Sequence, residues 1–276
     1  MWDTRDSPSV MRELITMWRN TRMVMLVAVV AAIYAAVLLP FKLFTVIPGI
    51  TSVRPANVFP VIFSIMFGPA AAWGAAIGNL IGDVFGGTFG PGSVFGFIGN
   101  FFFGLIGYKL WGNLGPLSSG AEPRMRSARQ VVEYAVIALV SSAACAAIIA
   151  WGVDLLGLVP FTVLGPTIMI NNSIAGVALG PPLLYLTYPR IKEMDLLYVD
   201  VMRDEDLASF DFAQPTVAAL GVLAVSAVWL ALGVFAFAPQ STMQTALGGV
   251  SLALLVVFVV IGSQGLPSQL QRAGPR

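Results

Sequence analysis

From Phe212 to Gln271 the chain carries no charged side chain at all. A soluble domain is about a quarter charged, so such a stretch cannot form a water-facing surface. An α-helix rises about 1.5 Å per residue, and about 20 apolar residues cross the roughly 30 Å hydrocarbon core of a bilayer. The stretch is therefore long enough for two crossings. Its one turn signal, Pro239-Gln240-Ser241-Thr242, divides it into helices near Pro215–Phe237 and Met243–Ile261. The rest of the chain agrees: 57% of the 276 residues are hydrophobic and 11% charged, so lipid is the solvent the fold must satisfy.

The remaining charge-free stretches set the topology. Met23–Phe41, between Arg22 and Lys42, is one span. Pro55–Gly82, between Arg54 and Asp83, is interrupted by Gly68-Pro69, which gives a short helix near Val58–Phe67 and a second near Ala70–Val84. The short one crosses only if it begins near Ser52, so a spanning helix and a re-entrant hairpin both stay open. After the glycine-rich loop Gly86–Gly92, helices follow near Ser93–Trp111, Tyr134–Val153 and, beyond Pro160, Pro166–Tyr188. The total is about eight crossings with both termini on one side. Cytoplasmic loops collect Lys and Arg, and this count places thirteen of the 15 basic residues on that side, leaving only Lys42 and Arg54 outside. The expectation is an all-α, multi-pass protein of the cell membrane with both ends cytoplasmic. Its parts are an N-terminal tail (1–22), partly an amphipathic helix on the membrane surface, a six-helix core (23–189), a charged linker (190–213), a two-helix hairpin (214–262) and a C-terminal tail (263–276).

Composition removes several classes of function. There is no histidine and one cysteine, Cys145. That excludes an intrachain disulfide, Ser-His-Asp, Cys-His and HExxH chemistry, and any cysteine or histidine metal cluster. There is no Walker A motif, so ATP hydrolysis belongs to other subunits. A net charge of +1 argues against nucleic acid as a partner. Asp83 and Asp154 sit near an interface, far apart in sequence and without a motif around either. The expectation is a non-enzyme without cofactor or metal.

Polar groups at membrane depth are costly and point to function. Here they concentrate in the first six helices and their loops, toward the outer face: Arg54, Asn57, Asn79, Asp83, Asn100, Asn171 and Asn172 are the candidate substrate-binding residues. Each also has a plain structural role open to it. Arg54 and Lys42 would serve as interface anchors, Asp83 as a cap or as a partner of Arg54, Asn79 and Asn100 as partners of one another, and Asp154 as a loop-surface residue. The first helix carries Ala28, Ala32 and Ala36 at four-residue spacing, with Ala31 and Ala35 alongside. Small residues so spaced allow close helix approach, either inside the bundle or against another membrane protein.

The run Arg54–Asp83, with its Pro-containing start, short helix, Phe67-Gly68-Pro69 turn and Gly74-x3-Gly78-x3-Gly82-Asp83 continuation, resembles the substrate-binding S components of energy-coupling factor (ECF) transporters. The alanine-rich first helix is similar to the AxxxA motif of that family, and Asn171-Asn172 fits its sixth helix. The resemblance covers about residues 23–190. It implies a six-helix bundle with an outward pocket for a vitamin-like small organic solute, together with a transmembrane coupling subunit and two cytoplasmic ATPases as partners. It further implies that Ala28, Ala31, Ala32, Ala35 and Ala36 dock on the coupling subunit. The added C-terminal hairpin departs from the family pattern and puts that docking geometry in question. A cargo-free membrane scaffold on a similar bundle is the alternative.

Overall fold

A computed structural model describes residues 11, 13–47, 50–52, 54–203 and 214–262. The elements in chain order are α1 (Glu13–Thr16), α2 (Thr21–Phe41), a two-stranded ribbon of β1 (Thr45–Ile47) and β2 (Thr51–Ser52), α3 (Phe59–Phe67), α4 (Pro69–Phe85), α5 (Gly92–Leu110), α6 (Ala128–Leu155), α7 (Phe161–Glu193), α8 (Tyr198–Val201), α9 (Pro215–Phe235) and α10 (Thr242–Ile261). Six of these, α2, α5, α6, α7, α9 and α10, are long and apolar enough to cross a membrane. The fold is all-α apart from the ribbon, whose strands run antiparallel with Thr45 opposite Ser52 and Ile47 opposite Thr51. The sequence gives no period-2 signal for that ribbon, which occupies the expected loop Phe41–Pro55.

Helices α2 to α7 form the bundle. α2 packs on α4, α4 on α5, α5 on α6 and α6 on α7, while α3 packs against α4, α5 and α7. We call the end carrying Lys42 and Asp83 the upper end. α3 is short, with 9 residues after a 3-10 turn over Pro55–Val58. It starts below the upper end and still reaches the lower one: Ser64 Oγ accepts the Tyr108 amide at 3.0 Å, and Gly68 meets the ring of Tyr198. The turn into α4 at Gly68 therefore lies at the lower end, which favours a short traversing helix over a shallow re-entrant hairpin. Gly68 has φ +51°, and a Cβ there would lie 2.6 Å from the Tyr198 ring, so both backbone and space call for glycine.

Two helices run past their expected ends. α7 extends beyond Pro166 and Pro189 at its two ends and also holds Pro181 and Pro182 inside, because membrane helices tolerate proline where neighbours re-satisfy the freed carbonyls. α6 begins at Ala128, capped by Ser127, and runs straight through Glu133. That carboxylate is fully buried and accepts the amides of Gly112 at 2.6 Å and Ser119 at 2.7 Å, so a charge that reads as a loop boundary is a loop anchor.

Beneath the bundle, Glu13–Arg19 packs one face against the core and leaves Ile15 and Trp18 exposed on the other. Leu14 and Met17 are buried, and the buried Glu13 carboxylate accepts Lys109 Nζ at 2.5 Å and Tyr108 Oη at 3.3 Å. The Trp73 indole donates to the Leu14 carbonyl at 3.0 Å, and Asn20 Nδ2 to that of Val201 at 2.8 Å. The rest of the N-terminal tail (1–10), part of the linker (204–213) and the C-terminal tail (263–276) lie outside the described residues. The hairpin of α9 and α10 packs on α6, with α9 also touching α7. Trp151 of α6 stands against Trp229 of α9 and against Gly248 of α10.

Close helix approach within the bundle gives a direct test. A Cβ on Gly104 of α5 would lie 2.5 Å from the Ala71 carbonyl oxygen of α4, a backbone atom that cannot swing aside, whereas one on Gly249 of α10 would meet open space. Overpacking of this kind costs about 1–3 kcal/mol. Gly104→Val should lower the thermal unfolding midpoint in detergent, and Gly249→Ala should leave it unchanged or slightly raised.

Candidate functional site

The upper end holds a cavity of about 280 Å³ whose wall includes Arg54, Asn57, Asn79, Asp83, Asn100, Asn171 and Asn172. Five elements deliver these seven side chains. Arg54 precedes the 3-10 turn, which contains Asn57. Asn79 and Asp83 lie one turn apart at the top of α4, Asn100 lies two turns into α5, and Asn171 and Asn172 lie in the upper half of α7. The loop Gly87–Pro91 and Ile50-Thr51 of the ribbon form the rim, while Ile149, Leu164 and Ile168 supply apolar walls.

Two connected groups of hydrogen bonds hold the wall. The deeper one centres on Tyr34 of α2, fully buried, whose hydroxyl donates to Asn57 Oδ1 at 2.7 Å and lies 3.0 Å from Asn100 Oδ1. Asn57 Nδ2 donates to Asn172 Oδ1, and Asn100 Nδ2 to the Gly96 carbonyl at 2.8 Å. Helices α2, α5 and α7 are thereby tied to the start of α3 by neutral bonds.

The shallower group is charged. Asp83 accepts Lys42 Nζ at 3.0 Å, Ser93 Oγ at 3.0 Å, Thr88 Oγ1 at 3.2 Å and Asn79 Nδ2 at 3.3 Å. Lys42 also donates to Thr88 at 2.7 Å. Lys42 is thus a buried partner, its side chain 6% exposed, and not a headgroup anchor. Asp83 pairs with Lys42 rather than Arg54, because Lys42 ends α2 directly beside the top of α4. Arg54 instead donates through Nη1 to Asn79 Oδ1 at 2.9 Å, and its Nε is buried without a partner. Asn79 and Asn100 do not pair. Asn171 fastens the ribbon, with Oδ1 accepting the Arg54 amide at 3.1 Å and Nδ2 donating to the Ser52 carbonyl at 2.7 Å.

Asp154 is buried, contrary to its expected surface role. It accepts the amide of Phe161 at 3.1 Å and that of Gln240 at 2.9 Å, pinning the hairpin turn to the α6–α7 loop. The alanines divide. Ala31 and Ala35 are buried, at 4% and 5% exposure, because they face α4, and so neither is available to a partner. Ala28, Ala32 and Ala36 point outward.

Sequence reasoning passed over Tyr34, Thr88, Ser93 and Cys145. The last three line the cavity, and Tyr34 stands behind it. A tyrosine in the middle of an alanine-rich apolar span was the available signal for Tyr34, since a buried phenol seeks a partner.

Around the cavity two cations, Lys42 and Arg54, stand against one anion, Asp83. Lys42 and Asp83 compensate one another, and Arg54 retains an unused donor in a wall of five carboxamides. Such a wall offers planar hydrogen-bonding edges of the kind that suit a small neutral or anionic group. Tyr34→Phe leaves the acceptors of Asn57 and Asn100 without their donor, at about 1–3 kcal/mol for a buried group. The variant should fold with six bundle helices intact by circular dichroism, and bind solute about tenfold more weakly or worse in a calorimetric titration.

Residues 24–189 match the sequence model of a family described as QueT transporter. No curated protein and no solved structure matches the chain. The matched segment starts in the first turn of α2 and stops near the end of α7, so it contains the bundle and every one of the seven cavity residues, and leaves the hairpin outside. The chain accordingly belongs to the QueT transporter family, whose members are membrane transporter components, the S components of ECF transporters, and not enzymes.

Proposed function

We propose that this protein captures a queuosine precursor, the solute associated with its family, in the upper cavity. It passes the solute to an ATP-driven ECF module made of a transmembrane coupling subunit and two cytoplasmic ATPases. The observation that carries this reading is the convergence of Arg54, Asn57, Asn79, Asp83, Asn100, Asn171 and Asn172 on one cavity in an otherwise apolar bundle. At about 280 Å³ the cavity lies at the small end of ligand pockets, which suits one flat heterocycle rather than a nucleotide. The buried Arg54 Nε is a donor looking for a solute acceptor such as a ring carbonyl. The carboxamides offer both donors and acceptors to ring N–H and N atoms.

The same reading sets the protein in the cell membrane with the cavity outward. The lower end carries Lys109, Arg124, Arg126, Arg129, Arg190, Lys192 and Arg203, and the upper end Lys42 and Arg54, so the positive-inside rule makes the lower end cytoplasmic. Ala28, Ala32 and Ala36 form a smooth outward strip on α2 for the coupling subunit. The hairpin packs on α6, away from the α2–α4 side, so the extra helices and the docking strip do not compete.

Mass spectrometry of the purified protein should show a co-purifying deazapurine-type or related heterocycle, and a preparation that binds none of a panel of queuosine precursors would defeat the reading. Arg54→Ala and Asn172→Ala should each weaken binding by about tenfold to a hundredfold, the range of a lost charge-assisted or buried hydrogen bond, without loss of fold. Ala32→Leu should bind solute as the parent does yet abolish uptake in cells that express the full module. Normal uptake by that variant would remove the docking role of the strip.

A further inference from the structure

At the lower end, far from the cavity, Arg126, Tyr185, Leu186, Pro189, Arg190 and Glu193 line an open pocket of about 420 Å³ on the protein surface. Arg126 stands just before Ser127, the N-cap of α6, while the other five lie on the last turns of α7. We propose that this pocket is a binding site for a monoanionic phospholipid headgroup, its phosphodiester held between the Arg126 and Arg190 guanidiniums.

Four observations converge on that ligand. First, the neighbouring cations are already used. Glu122 binds both Arg124, at 2.7 Å, and Lys192, and Arg129 donates to the Pro116 carbonyl at 2.8 Å. Among the described residues, the side chains of Arg126 and Arg190 make neither a hydrogen bond nor an ion pair. Two guanidiniums with unused planar donor pairs are the groups best matched to phosphate oxygens.

Second, the pocket has the layout of a membrane interface. Tyr185 and Leu186, 51% and 60% exposed, form its upper margin, and Leu179, seven residues earlier on the same face of α7, continues an apolar track along the helix. A tyrosine at headgroup level above exposed leucines places the phosphate at the arginines and an acyl chain on the leucines.

Third, the charge count selects the headgroup. Two arginines and Glu193 leave one net positive charge, which complements a single phosphodiester better than a doubly charged phosphate, and the Glu193 carboxylate can accept from headgroup hydroxyls. Fourth, the site lies at the end that the positive-inside rule assigns to the cytoplasm, where basic pockets between membrane helices meet anionic lipid.

The test uses the full-length protein in mild detergent and native mass spectrometry, with phosphatidylglycerol, phosphatidylcholine and inorganic phosphate as probes. The parent should retain one phosphatidylglycerol in preference to phosphatidylcholine, and inorganic phosphate in excess should not displace it. The double variant R126Q/R190Q should lose retention at least about tenfold, the equivalent of one charge-assisted hydrogen bond. R190K, which keeps the charge without the planar fork, should fall between. Both positions are exposed, so thermal midpoints should match the parent. Should the double variant fail to fold, R190K against R190Q decides alone. Equal retention by parent and variants, or displacement by free phosphate, would overturn the lipid site. Loss of coupling-subunit association with lipid retention unchanged would overturn it too, in favour of a protein contact.

Discussion

A 3-10 turn of 4 residues and a helix of 9 together cover about 20 Å, whereas α2 and α5, of 21 and 19 residues, cover about 30 Å. The bundle therefore lacks one helix across its upper third. Lipid cannot fill an internal gap bounded by four helices, and close packing cannot remove it, because Gly68 and Ser64 hold the foot of α3 at the lower end. The vacancy above Pro55 is the cavity, and the ribbon and the Gly87–Pro91 loop are its roof. Polar residues of α4, α5 and α7 can face this space without facing hydrocarbon, which is why carboxamides, costly elsewhere in the bilayer, collect there.

Charge in the same region is settled by adjacency. Asp83 and Lys42 end two helices that pack against each other along their length, so their pairing follows from the α2–α4 contact, and Thr88 and Ser93 satisfy the remaining carboxylate lone pairs. Removing either partner of a buried pair leaves an uncompensated charge, at about 3–5 kcal/mol. With Asp83 so engaged, the Arg54 guanidinium donates to Asn79 instead. The wall thereby combines a neutral rigid floor around Tyr34, a closed ion pair at the rim, and one guanidinium held ready between them.

Much of this was legible in the chain because lipid makes polarity informative. Charge-free runs marked the helices, and the depth of the seven polar residues placed them at one end. What failed to show had physical reasons. Glu133 and Asp154 read as loop boundaries, yet both are buried acceptors of backbone amides, a role that composition cannot distinguish from exposure. Pro166 and Pro189 read as the ends of α7, although a bundle supplies the partners that water would otherwise provide. Spacing alone could not assign Asp83 to Lys42 over Arg54, nor separate the inward Ala31 and Ala35 from the outward Ala28, Ala32 and Ala36. Those choices depend on which neighbour α2 packs against, a tertiary fact.

The segments flanking the matched family core obey one spatial rule. Glu13–Asn20 and α8 close the lower end, where the feet of α3 and α5 would otherwise expose Gly68 and the buried Lys109. The hairpin covers α6 and α7, with Asp154 as its fastening point. The hairpin turn reaches the α6–α7 loop through the Gln240 amide, while Ala28, Ala32 and Ala36 of α2 stay exposed. Each addition extends burial over a side of the bundle that would otherwise be left open.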